Sequence, residues 1–474
     1  MDKRYQWLLA GLAGAAGIVF GSRAVIHQIT KQMGNIFLKD PYSENIAEFF
    51  SAAHRVGVQN IWETNLRAET GQVINRPLGT PRKFLNLNGL AFNPVFLHRL
   101  PTPHNVKVDT QTIIGKHCHK PLVLSTPIII SGMAYGLALS KEAKYALAKG
   151  SALAGTATNT GEGLWLQRER DLATNLIIQY NRGKWNKDPA ILQQADMIEI
   201  QLGQGALAGI GHYTSGRDLS PQVRKQLGLG PSADALIEAS HQEIRQPNDL
   251  RKLVDWLREI TDGVPIGVKL AFTNTIEEEI DIAVDAGVDV LALEGTQSAT
   301  KGAPPIVEDD FGLPTLIGLC RAVRHIEKKK LKDKISLIVA GGLYNPGDML
   351  KVLALGADAV YLGSIMLFAM THTQSLKALP FEPPTQVVWE TGKYKNRFDW
   401  KAGAEAVAKF ITSCTLEMED GVRALGKTAI SQVNRSDLVA LDEITAKVTG
   451  LQPAWITPDM YQKRQPYIHE LEDR

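Results

Sequence analysis

The sequence predicts an α/β protein built on a (β/α)8 TIM barrel, with an N-terminal membrane helix and a helical C-terminal extension. Three observations carry this. Between Leu122 and Met370, eight short apolar runs alternate with amphipathic stretches, the pattern of parallel strands buried on both faces and of the helices that cover them. Small residues and glycines follow several of the runs, as they do where a barrel builds its binding face at the C-terminal ends of its strands. Behind the last two runs the chain supplies helix starts, Asn345-Pro346 among them, an N-cap followed by a first-turn proline. A doubly wound open sheet is the alternative architecture.

Residues 1–30 form the first segment. Trp7 to Phe20 is an unbroken run of apolar and small residues, and it extends to Ile26 if Gly21, Ser22 and Arg23 are tolerated. That approaches the roughly 20 residues a membrane helix needs. Lys3 and Arg4 precede the run and Arg23 and Lys31 follow it, so flanking charge leaves its orientation open. The expectation is an uncleaved single-pass anchor with the catalytic domain on the cytoplasmic side; a cleaved signal peptide and a buried or interfacial helix are the alternatives. Residues 31–120, broken by Pro41, Pro77, Pro81, Pro94, Pro101 and Pro103, read as an irregular lead-in that wraps the barrel.

The barrel is assigned to residues 121–379. Its expected strands are Ile128–Ile130, Thr156–Asn159, Leu176–Gln179, Met197–Leu202, Ile266–Ala271, Val288–Leu293, Ile335–Ala340 and Ala359–Leu362. Helical patterns run over Lys141–Lys149, Ile276–Ala286, Thr315–Lys329 and Pro346–Leu355. Residues 380–474 open on Pro380, Pro383 and Pro384 and then show helical periodicity from Ala402 to Leu425. Gly426-Lys427-Thr428 resembles the end of a phosphate loop, but no strand precedes it, and a helix C-cap explains it better.

Composition narrows the function. A formal charge of +2 over 474 residues gives no electrostatic footprint for nucleic acid. The one dense basic run, Lys328-Lys329-Lys330 with Lys332 and Lys334, closes a helix and reads as a solvated helix end. Cys118, Cys320 and Cys414 stand far apart, so neither a disulfide framework nor a closely spaced metal site is written here, and a reducing compartment fits best.

The strand ends point to a phosphorylated cofactor. Ala340-Gly341-Gly342 follows the seventh strand and Gly363-Ser364 the eighth, with Gly295 and Gly302 after the sixth. Backbone N–H groups at such glycines and at a helix N-terminus favour a phosphate dianion; tight turns are the bland explanation. Lys269 occupies an inward-facing position in Ile266–Ala271, where a lysine must reach the barrel mouth or meet a large burial penalty. There it can hold the electron-rich N1–C2=O edge of a flavin, or it can form an ion pair with Glu294. Gln179 and Gln201, at the ends of the third and fourth strands, are candidates for hydrogen bonds to a flavin ring.

Six motifs together resemble the FMN-binding synthase domain of glutamate synthases: Ser131-Gly132-Met133-Ala134-Tyr135-Gly136, Ser140-Lys141-Glu142-Ala143, Asn159-Thr160-Gly161-Glu162-Gly163, Gln204-Gly205-Ala206, Val268-Lys269-Leu270 and Leu355-Gly356-Ala357-Asp358. The similarity spans roughly Pro121 to Met370 in the right order. It implies an FMN oxidoreductase that reduces 2-iminoglutarate, formed from 2-oxoglutarate and ammonia, to glutamate. By position, Gly132, Met133 and Ala134 would line the flavin N5 side, and Asn159 and Thr160 the ring or substrate side. Glu162 would stand near the point of ammonia entry, with a part in handling protons, and Gln179 and Lys269 would contact the ring. Gly341, Gly342, Gly363 and Ser364 would hold the phosphate, and Lys184, where the family has an arginine, would pair with a substrate carboxylate.

The departures are specific. Gln201 and Leu207 replace two lysines of the family pattern, and Gln297-Ser298-Ala299-Thr300-Lys301-Gly302-Ala303-Pro304 replaces its Asp-Gly-Gly-Thr-Gly-Ala element. Met366 to Pro380 holds no cysteine where the family has a three-cysteine cluster motif, so no iron–sulfur cluster is expected. With no glutaminase or dinucleotide-binding domain recognised, ammonia and an unidentified electron donor are expected from elsewhere. The oligomeric state stays open, a homo-oligomer included. Two other functions compete: a different flavin barrel such as a 2-hydroxy acid oxidase, which needs a histidine base although none of the eleven histidines falls at a predicted strand end, and a non-catalytic flavin-binding or electron-relay protein at a membrane.

Overall fold

A computed structural model describes residues 3–41, 44–45, 47–457 and 459, with the backbone alone for residues 3–20 and 47. The chain divides into two compact units, residues 1–74 and 75–474.

The first unit contains helices Lys3–Lys39, Ala47–Val56 and Val58–Thr70. The expected anchor falls on the first of these, but the side chains of its apolar run lie outside the described residues. Residues 21–39 carry Arg23, His27, Lys31 and Lys39 and are exposed almost throughout. Among the described residues no helix is long and apolar enough to cross a membrane, so the structure lends the membrane expectation no support.

The second unit holds eight parallel strands: β1 (Ile128–Ile130), β2 (Ala157–Asn159), β3 (Asn175–Tyr180), β4 (Met197–Gln201), β5 (Ile266–Ala271), β6 (Val290–Glu294), β7 (Ser336–Ala340) and β8 (Ala359–Leu362). Ladder bonds run in the order β1-β8-β7-β6-β5-β4-β3-β2. The seam between β1 and β2 is crossed by Ser125 N donating to Gly155 O (2.8 Å) and Thr156 Oγ1 donating to Ile128 O (2.5 Å). The ring is therefore nearly closed, and the open-sheet alternative is excluded.

Each strand is followed by a helix: α1 (Lys141–Leu153), α2 (Gln167–Leu172), α3 (Pro189–Leu192), α4 (Pro247–Ile260), α5 (Ile276–Asp285), α6 (Thr315–Lys328), α7 (Pro346–Ala354) and α8 (Ser364–Thr371). Local chemistry starts several of them. Ser140 caps α1 by accepting from Ala143 N (3.2 Å), and Asn345 caps α7 by accepting from Asp348 N (2.9 Å).

The lead-in is less irregular than expected. Strands Thr112–Ile114 and Leu122–Leu124 form an antiparallel hairpin whose Ile114, Leu122 and Leu124 pack with Ile129, Ala157, Ile177, Met197 and Val290 inside the barrel. The hairpin fills the N-terminal end: Gly115 N donates to Ser336 Oγ (3.0 Å) at the start of β7. That leaves the C-terminal end as the open mouth. Leu90–Phe92 pairs with Leu438–Ala440, which ties the lead-in to the tail. The long tail helix α9 (Trp400–Ala424) lies on α1, where a Cβ on Gly150 would sit 2.8 Å from Val407 Cβ. It ends at Gly426 (φ +66°), so the Gly426-Lys427-Thr428 segment is a helix terminus.

Candidate active site

Alternation along the strands sends Asn159, Gln179, Glu199, Gln201, Lys269, Glu294 and Tyr361 into the upper half of the barrel, above the apolar lower interior. In register, Gln179 stands level with Glu199, and Lys269 level with Gln201. Glu199 Oε1 accepts from Asn159 Nδ2 and from Gln179 Nε2, both at 2.8 Å. Lys269 Nζ lies 2.8 Å from Glu294 Oε1, so the ion pair considered for it is formed. It also stands 5.8 Å from the centre of the Tyr361 ring. Burial disfavours the lysine's charge, but Glu294, Glu199 and Glu162 outweigh burial and raise its pKa. Lys269 is a fixed cation at the mouth.

Glu294 and Tyr361, its two neighbours, line a cleft whose far wall is Gly341, Gly342, Gly363 and Ser364. Gly341 (φ +115°) and Gly342 (φ +71°) hold the left-handed backbone that glycine tolerates. A Cβ added to Gly363 would meet nothing within 4 Å, and Gly363 precedes the N-terminus of α8. The four residues expected to hold a phosphate are thus brought together on one cavity. Gly295 is a correction. A Cβ there would run into Thr315 Oγ1, and Gly295 N donates to Ala340 O (3.0 Å). Its glycine is required by packing against the start of α6, and the cleft is lined without it.

The loops after β1 and β2 close on this mouth. A Cβ on Gly132 would lie 2.9 Å from Asn159 Oδ1 and 3.1 Å from Gln179 Nε2, so glycine lets the β1 loop settle on both side chains. Behind the loops, Lys144 of α1 donates to the carbonyls of Met133 (2.7 Å), Asn159 (2.8 Å) and Thr160 (3.3 Å) and pairs with Glu169 of α2 (3.0 Å). One buried ammonium therefore positions the Met133 turn against Asn159 and Thr160. Ala134 is buried in a separate cluster with Leu164, Val223 and Ile237.

Glu162 sits at the end of the β2 loop. His212 Nε2 lies 2.8 Å from its Oε1, and Gln201 Nε2 donates to its Oε2 at 3.0 Å. Burial would raise its pKa, but His212, Gln201 and the charge of Arg182 hold it at about 2. The carboxylate is ionised at neutral pH, which suits an anionic anchor better than the proton-handling part expected of it. Gln201 also donates to Gln204 Oε1 (3.2 Å), and Gln204 to Thr300 Oγ1 (3.0 Å); thus the β4 loop is linked to the altered β6 loop.

Three residues at this mouth went unassigned from sequence. Glu199 shares a face with Gln201 two residues on, and the alternation argument used for Lys269 would have found it. His212 arrives on a hairpin, His212–Thr214 with Ala235–Ile237, inserted after β4. No histidine ends a barrel strand, yet one reaches the site. Arg182 is buried, whereas Lys184, the residue expected to face a carboxylate, is exposed and makes no hydrogen bond or ion pair among the described residues. Among those residues no group of three or more His, Cys, Asp or Glu could hold a metal ion.

The chain is similar to known proteins. Residues 93–428 match the family model described as the conserved region in glutamate synthase. A glutamate synthase large subunit-like protein of Rhizobium meliloti is 32% identical over 398 residues, covering 80% of this chain and 90% of that protein. An archaeal-type glutamate synthase [NADPH] of Thermotoga sp. is 30% identical over 431 residues, 85% of this chain and 83% of its own. Among solved structures, a flavocytochrome b2 variant overlaps 79% of this chain and 81% of its own at 18% identity and a TM-score of 0.49, a likeness that carries no functional weight. By the family match and these relatives, the chain belongs to the glutamate synthase family and is an oxidoreductase of that kind.

Proposed function

We propose that the chain is an FMN-dependent oxidoreductase that reduces 2-iminoglutarate, or a closely related imine of a small dicarboxylate, to the amino acid. The observation that carries this reading is a fixed cation, Lys269, beside a cleft that ends in Gly341, Gly342, Gly363 and the start of α8. The residues fit FMN: amides at left-handed glycines and a helix N-terminus for the phosphate, and an ammonium for the ring edge that gains negative charge on reduction. Bound there, FMN would supply the reducing equivalents for the imine carbon. Lys269 would stabilise the added charge, Asn159 and Gln179 would orient the ring or substrate, and Gly132 would keep the β1 loop from crowding them. Glu162, held as an anion by His212 and Gln201, would attract ammonium to the mouth.

A non-catalytic flavin relay is the second reading, favoured by Gln201 and Leu207 where the family pattern has lysines. One experiment separates the two. Full-length protein should purify yellow with a flavin spectrum. With a chemical reductant, 2-oxoglutarate and ammonia it should form glutamate, whereas the relay reading requires reduction of the flavin without amino acid product. Colourless protein that takes up no FMN would end both.

A further inference from the structure

We infer that Arg182 forms a carboxylate-binding subsite at the barrel mouth and replaces the cations missing at Gln201 and Leu207. This rests on the reading that the substrate is a small carboxylate. Arg182 follows β3 and is buried. Its Nη1 donates to Gly209 O (3.0 Å) and Ala239 O (2.9 Å), the two ends of the segment inserted after β4. Its Nε and Nη2 are buried and without a hydrogen-bond partner. Those two N–H groups form the side-on edge with which a guanidinium receives a carboxylate in two parallel bonds.

A buried guanidinium with an open edge is expensive unless an acceptor meets it. Glu162 is close enough for its charge to be felt by Arg182, but no hydrogen bond joins them; its oxygens meet His212 and Gln201 instead. The pair is matched in charge and unmatched in hydrogen bonds. Other buried polar atoms of the β3 and β4 ends and of the hairpin after β4 also lack partners: Asn181 Nδ2, Gln201 Oε1 and His212 Nδ1. Orphans gathered in one region mark a place where a polar ligand completes the network. The placement also suits replacement, because Gly209, which Arg182 touches, lies two residues beyond Leu207 in the same loop.

The test is a titration of the FMN-loaded full-length chain with carboxylates, read by the flavin difference spectrum without turnover. The probes are 2-oxoglutarate, glutarate, succinate, pyruvate and the singly charged amide 2-oxoglutaramate. Wild type should bind at least one acid and prefer 2-oxoglutarate to its amide. Arg182→Gln should weaken binding tenfold or more and lose the preference, with Arg182→Lys in between. Leu207→Lys added to Arg182→Gln should recover part of the loss, which a purely structural arginine would not allow. Unchanged affinity in Arg182→Gln, or no binding of any acid by wild type, would overturn the inference. If Arg182→Gln fails to fold or to retain flavin, wild-type affinity in Arg182→Lys overturns it instead. Arg182-dependent binding of a different acid supports the subsite and sinks only the 2-iminoglutarate reading.

Discussion

Lys144 and Lys269 are both buried and both stand beside a glutamate, yet their charges fare differently. Burial lowers the pKa of Lys144, and Glu169 offsets this only in part. Burial also acts on Lys269, but three carboxylates around it turn the shift upward. Lys144 otherwise faces neutral carbonyls, those of Met133, Asn159 and Thr160. The number of opposing charges decides between them. It also separates their surroundings: Lys144 holds two loops in place from behind, and Lys269 lies behind Glu294 and Tyr361, which line the cleft.

The largest effect expected is on stability, at Lys144. Lys144→Met leaves Glu169 buried without its counter-ion and three carbonyls without a donor, which should cost about 3–5 kcal/mol. Denaturant unfolding measures it. A stable variant with slowed flavin reduction would reverse the roles assigned to the two lysines.

His241 extends the comparison to a third buried base. It is stacked on Tyr180 with its Nε2 2.8 Å from Gln201 O, and burial lowers its pKa from 6.5 to about 4. Since the folded state favours the neutral ring, the stabilisation is complete above pH 6.5 and lost as pH falls from there to about 4. It amounts to about 3 kcal/mol. His241→Gln should flatten that part of the stability–pH curve, and an unchanged curve would show the ring to be freely protonated in the fold.

Lys269→Met should disturb function more than folding, because Glu294 lines the cleft and can be reached by water or protons. Flavin reduction followed by stopped flow should slow by roughly tenfold to a hundredfold. Unchanged kinetics would leave Lys269 as a structural partner of Glu294, no different in kind from Lys144. The smallest effect is at the far wall. Gly342→Ala forces a left-handed residue to carry a Cβ 2.9 Å from Gln297 and should destabilise by about 1 kcal/mol, with weaker FMN retention in dialysis. Retention equal to wild type would move the phosphate away from this turn.

Much of the barrel could be read directly. Three strands, Ile128–Ile130, Ile266–Ala271 and Ala359–Leu362, begin and end where their apolar runs do, because a parallel strand buried on both faces is apolar almost throughout, Lys269 being the one charged exception among them. That Gly341, Gly342 and Gly363 stand together at one end of the barrel was also legible, since a glycine at a strand end is a local signal. Gly295 has the same local signature and a different cause, a helix start lying across it. Glu199 went unassigned although its alternation was visible. Arg182 and His212 carried no local mark at all.

What the amino-acid order determined alone is the alternation of strand and helix, the glycine turns and the inward lysine, because each follows from hydrophobic period or backbone freedom within a few residues. Only the tertiary structure decided what those groups meet. The hairpin that carries His212 to Glu162, 50 residues earlier, and the loop ends gripped by Arg182 are brought together by closure of the ring. Whether a buried charge is raised, lowered or left with an open edge depends on neighbours that no sequence spacing specifies.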